Sequence, residues 1–166
     1  GNVYTRDRSS PNSATTMRAS IFSAPVTVPL TTNDSTVVTS ASVSARVAVV
    51  DEFSGLLSSG LFDLSNATSG NSTSPGSSIS ITPTQANELI IGFTSIEGPM
   101  EDTHTEDFLG QYKSLTREGT TGGDDATNLT INGGYKSVGD INTYSYRPTI
   151  DPARNWIDFI VGYKAL

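Results

Sequence analysis

The only histidine of this chain stands in an acidic stretch, Glu101-Asp102-Thr103-His104-Thr105-Glu106-Asp107. A hard cation such as Ca²⁺ takes clustered carboxylate and carbonyl oxygens on a flexible loop. Glu101, Asp102, His104, Glu106 and Asp107 are therefore candidate metal ligands. Zinc fits less well, with one His and no Cys to bind it. The stretch lacks the glycine turn and terminal Glu of an EF-hand. An extended chain would also send Glu101 and Asp107 to one side and Asp102, His104 and Glu106 to the other. The same composition suits a solvated acidic loop. Gly122-Gly123-Asp124-Asp125, with Asp140, is a second calcium candidate through Asp124 and Asp125. Its glycines equally suit a hairpin turn.

Catalytic patterns are absent from the sequence. Asp51 and Glu52 are adjacent, so a strand sends them to opposite faces, and they cannot flank one glycosidic bond. No Gly-x-Ser-x-Gly elbow accompanies His104, and no phosphate-binding Gly-x-x-x-x-Gly-Lys occurs. The expectation is that the chain is not an enzyme and needs no cofactor, calcium being the one candidate ion. Tyr112, Tyr144, Tyr146 and Trp156 offer flat apolar faces on which a sugar could stack. Filling the core is the competing role for such large rings. Asn33, Asn66, Asn71 and Asn128 each begin an Asn-x-Ser/Thr sequon and are candidate glycosylation sites.

The 166 residues suit one domain with a real core. The formal net charge of −7, with Lys and Arg scattered singly, argues against nucleic acid. No apolar run is long enough to span a bilayer. The N-terminal Gly1–Arg8 is polar, so no signal peptide is expected within it, and the missing initiator Met suits a processed or trimmed product. Without cysteine there are no disulfides or thiolate chemistry. Abundant Ser, Thr, Gly and Asn suit an extracellular or particle-surface β protein.

The candidate residues must be positioned by strands. Val43–Gly55 is Val-rich and apolar on both faces, which predicts a central, two-sided strand. Thr15–Ser23, Ile79–Ile81, Glu88–Thr94, Ala126–Val138, Ile141–Tyr146 and Asn155–Leu166 also read as strands. Further short strands are expected at Asn2–Arg6, Val26–Val28, Val37-Val38 and Tyr112–Thr116. Gly133-Gly134 predicts a bulge. Arg8–Ser13, Thr68–Ser78, Ser95–Gly110, Arg117–Asp125 and the stretch between Pro148 and Pro152 read as loops, and Leu56–Ser65 as a connection. With no helix of confident length, the pattern predicts an all-β, antiparallel two-sheet sandwich.

Ile21–Val26, Ser44–Gly55, Glu88–Phe93 and Trp156–Lys164, in that order, resemble a jelly-roll β-sandwich module of bacterial secreted and surface proteins and of phage tail or virion proteins. The resemblance covers the chain from about Asn2 and rests on structural strands. It implies a single domain, 1–166, working as a non-catalytic structural or adhesive module of a virion, extracellular filament or cell surface. Such modules carry a further strand before a Gly-Asn-x-Tyr turn, whereas this sequence begins there. A strand missing from the domain would leave an edge that a neighbouring subunit could fill. Self-association or contact with other subunits is thus the expected partnership. The alternative is a carbohydrate-binding module using loop aromatics, with glycan as ligand and calcium as a possible ion.

Overall fold

The computed structural model describes residues 1–77 and 79–166. It is all-β and antiparallel, built on a central six-stranded sheet flanked by smaller two-stranded sheets. The strands in order are β1 (Thr5–Pro11), β2 (Arg18–Ser23), β3 (Phe62–Ser72), β4 (Ser80–Ile81), β5 (Glu88–Glu97), β6 (Thr103–Thr105), β7 (Lys113–Ser114), β8 (Glu118–Gly119), β9 (Leu129–Val138), β10 (Tyr144–Ser145), β11 (Thr149–Asp151) and β12 (Arg154–Lys164). The central sheet runs β3-β12-β5-β9-β7, with β8 also on β9. β1 pairs with β2, β4 with β10, and β6 with β11.

β5 and β12 take the middle because both of their faces are apolar and must be covered. On one face Ile90 and Ile160 pack under Ile79, Ile81, Tyr112 and Tyr146. Farther along that face Ile96 and Trp156 meet Ile150 of β11. On the other face Phe93, Ile157 and Phe159 lie under Met17 and Ala19 of the β1–β2 hairpin. Phe93 and Phe159 are cross-strand partners whose rings stack at 4.6 Å. Asn12 ties the hairpin down by donating to the carbonyls of Gly70 and Trp156, and Tyr163 donates to Asp7. Each buried Ile, Val or Phe contributes about 1.5–3 kcal/mol of transfer free energy, so this two-sided core carries the fold.

Val43–Gly55 is not the central strand. Among the described residues it joins no strand and runs beside the sheet, with the Gly55 carbonyl accepting from the Leu166 N–H and with Ala45, Val47 and Val49 half-covered and their neighbours exposed. Its alternation is real but one-sided. The place beside β12 goes instead to β3, most of which has a loop-like composition. Ser, Thr and Asn suit an edge strand, because neither its faces nor its outer edge is fully shut off from water. The expected loop Thr68–Ser78 therefore begins inside a strand, and its last residue lies outside the described residues. Val26–Val28 and Val37-Val38 form no strand, while β1 extends into the expected loop Arg8–Ser13. β9 pairs with β5 in unbroken register, so Gly133-Gly134 makes no bulge. Its glycines give room instead, since a Cβ on Gly134 would meet Tyr112 Cβ at 3.0 Å. Strands β6 and β11 form inside stretches expected to be loops.

Candidate functional site

The acidic stretch is folded against the end of the sheet, and most of its carboxylates have protein partners. Arg154, at the start of β12, donates to both oxygens of Asp102 at 2.6 and 2.9 Å and to Asp125 at 2.6 Å. Asp107 accepts from the main-chain N–H groups of Gly110 and Arg147 at 2.8 and 2.9 Å. Glu106 accepts from the Tyr146 hydroxyl at 2.9 Å, and Asp124 accepts from Thr127. Glu101 is exposed. His104 Nδ1 lies 3.5 Å from Glu106 Oε1. Burial, with help from the Arg117 guanidinium, pulls this imidazole down to about 4, so it is neutral at pH 7. Burial pushes Glu106 up, Asp107 adds to the effect, and the Tyr146 hydrogen bond opposes it. Among the described residues no three His, Asp or Glu side chains converge as a metal site. The sequence brings Asp102 and Asp125 together, but on an arginine.

Two other carboxyl clusters were not singled out from the sequence. Asp158, in the apolar run of β12, is wholly buried and accepts from its cross-strand neighbour Thr94. Burial raises its pKa well above the usual range. Glu88, at the start of β5, is 1 % exposed. Burial pushes it up to about 7, and the adjoining Asp63 of β3 adds to the rise. Burial also opposes ionisation of Asp63, but hydrogen bonds from Thr84 and the Lys164 ammonium at 3.2 Å outweigh it and hold that carboxyl low. Asp63 therefore keeps the charge and Glu88 the proton. A lone acid inside an apolar strand was the available signal for Asp158. Nothing local marked Arg154, whose partners lie 29 and 52 residues away.

The four candidate sugar-stacking aromatics separate. Tyr112, Tyr146 and Trp156 are buried at 2, 0 and 6 % exposure, so their faces pack protein rather than ligand. Trp156 lies across Gly70 and donates to Ser72. Only Tyr144 reaches the surface. It lines an open groove of about 520 Å³ with Lys113, Lys136, Asp140 and Asn142. Lys136 Nζ already sits 4.6 Å from the Tyr144 ring centroid and 4.8 Å from that of Tyr112.

The sequons separate too. Asn33 and Asn71 are exposed. Asn66 is half-buried and donates to Ser80 O. Asn128 is 3 % exposed, and its amide donates to the carbonyls of Gly123 and Asp124, so a glycan there would displace the turn.

The least expected surface is the stretch from Phe22, near the end of β2, toward β3. Eight of the fifteen large apolar side chains recorded as exposed fall between Phe22 and Val50. They include Val37 at 78 % and Val50 at 55 %. No helix of the described residues is long and apolar enough to cross a membrane.

Comparison with models of protein families, with curated proteins and with solved structures found no match to this chain.

Proposed function

We propose that this chain is a non-catalytic structural and interaction module, displayed on a virion, extracellular filament or cell surface and acting through self-assembly or adhesion to a partner. One observation carries the reading: eight of the fifteen exposed large apolar side chains fall within Phe22–Val50. Folded chains that remain alone rarely leave so much apolar surface in one region, and such surface marks contact sites. The titratable groups support the same reading. Asp158 and Asp63 are taken up by Thr94, Thr84 and Lys164 of the fold itself. Sedimentation velocity at low and high concentration tests the proposal. Growth in mass supports it, and a monomer that also shows no affinity for particle components counts against it.

A second reading, a carbohydrate-binding module, is favoured by the Tyr144 groove with its flanking Lys113, Asp140 and Asn142. A glycan array discriminates the two, since saturable sugar binding lost in Tyr144→Ala supports the second.

A further inference from the structure

We propose that two copies of this chain join by strand exchange, Val43–Phe53 of each copy adding to the outer edge of β3 of the other. The inference rests on the interaction-module reading and names its partner as a second copy.

The donor lies outside every strand, and its last residue, Phe53, packs edge-on against Tyr135 of its own chain at 5.3 Å. Between Ser35 and Ser54, no main-chain group hydrogen-bonds to another main-chain group among the described residues. Val is stiff at χ1 and suits a pleated, half-covered surface. The segment shows that period already, with Ala45, Val47 and Val49 half-covered and Val43 and Val50 exposed. The acceptor is β3. It pairs with β12 on one side and, among the described residues, with no strand on the other. An unpaired edge offers a row of N–H and C=O groups to any extended segment of matching length. β3 is eleven residues long, as is Val43–Phe53.

One chain thus carries both halves of the pairing, which is the reason to choose a second copy over a foreign partner. Charge permits it. The protein carries a net −7, but β3 holds only Asp63, already bonded to Lys164, and the donor sets Arg46 against Asp51 and Glu52. Size permits it as well. A reciprocal exchange engages eleven donor and eleven acceptor residues on each copy, within the roughly 20–30 residues a side of a stable interface. Reciprocity closes the pair about a two-fold axis.

The test is sedimentation equilibrium of the full chain from low to high micromolar concentration, with Val47→Pro and Val47→Lys beside it. Proline removes an N–H donor and fixes φ. Val47 lies outside every strand, so at concentrations where both chains are monomeric, circular dichroism and the melting temperature should stay as in the unmodified chain. The expected result is a dimer whose dissociation constant rises about a hundredfold in Val47→Pro, from the lost ladder bond and the steric block. The chain has no cysteine, so a mixture of Val47→Cys and Ser65→Cys chains treated with a bismaleimide should yield a covalent pair containing one of each. Association of unchanged strength in Val47→Pro would overturn strand exchange while leaving the module reading standing on another surface. A monomer at every concentration would overturn the exchange, and saturable glycan binding by that monomer would remove the module reading too.

Discussion

The ring of Tyr146 lies directly on the main chain of Gly92, leaving no room there for a Cβ. Gly92 sits in β5 opposite Ile160 and Gly134, so a methyl group would push a fully buried tyrosine off the sheet. Overpacking of this kind costs about 1–3 kcal/mol. Gly92→Ala should lower the melting temperature by several degrees, read by circular dichroism. Gly139→Ala, where the nearest atom would be 3.9 Å away, should have far less effect.

Arg154 is the clamp that holds the acidic stretch to the sheet. Arg154→Ala would leave Asp102, itself largely buried, without its cation. The expected loss is about 1–3 kcal/mol in chemical denaturation, because the partner is left desolvated. Arg154→Lys should recover only part of it, since an ammonium cannot bind both oxygens of Asp102 and reach Asp125 with planar geometry.

Glu88 should make stability depend on pH. Its folded carboxyl holds a proton up to about 7, whereas an unfolded Glu releases it near ~4.3. Between those values the folded state binds more protons, so this contribution is present below the unfolded pKa and is lost as pH rises through about 7. Glu88→Gln should match the unmodified chain near pH 4 and exceed it at pH 8, by on the order of 2 kcal/mol. His104 works in the opposite direction. Lowered to about 4, it favours the folded state increasingly as pH rises from there toward ~6.5. Denaturation midpoints of both chains across this range isolate the glutamate.

Trp156→Ala and Tyr144→Ala should behave differently. The tryptophan fills the space over Gly70, and removing it should cost about 3–5 kcal/mol. Tyr144 is only half-buried at the groove, so its loss should be mild. A sugar-binding defect in Trp156→Ala would reflect unfolding, whereas the same defect in a folded Tyr144→Ala would report contact.

In a host that attaches N-linked glycans, peptide mass mapping should find occupancy at Asn33 or Asn71 and none at Asn128. Asn128→Ala should destabilise by about 1–3 kcal/mol, because the carbonyls of Gly123 and Asp124 lose their donor.

Local pattern alone determined the class and marked Glu88–Thr94 and Asn155–Leu166 as strands, while it put Val43–Gly55 at the centre. Glu88–Thr94 and Asn155–Leu166 are apolar on both faces. Such a chain must be covered on both sides, and both strands lie in the middle of the antiparallel sheet. Val43–Gly55 shows the limit of that reasoning. Period and propensity say that a segment can be a strand, but a strand exists only where a neighbour supplies hydrogen bonds, and β12 gives its second side to the Ser- and Asn-rich β3. The candidate residues follow the same division. An acidic cluster and a set of large rings were legible as residue types. Only tertiary structure decided that Arg154, from the far end of the chain, would take up Asp102 and Asp125. It also decided that Tyr112, Tyr146 and Trp156 would be buried against protein while Tyr144 stayed half-buried at the groove, because burial depends on what lies across a sheet, and that partner is remote in sequence.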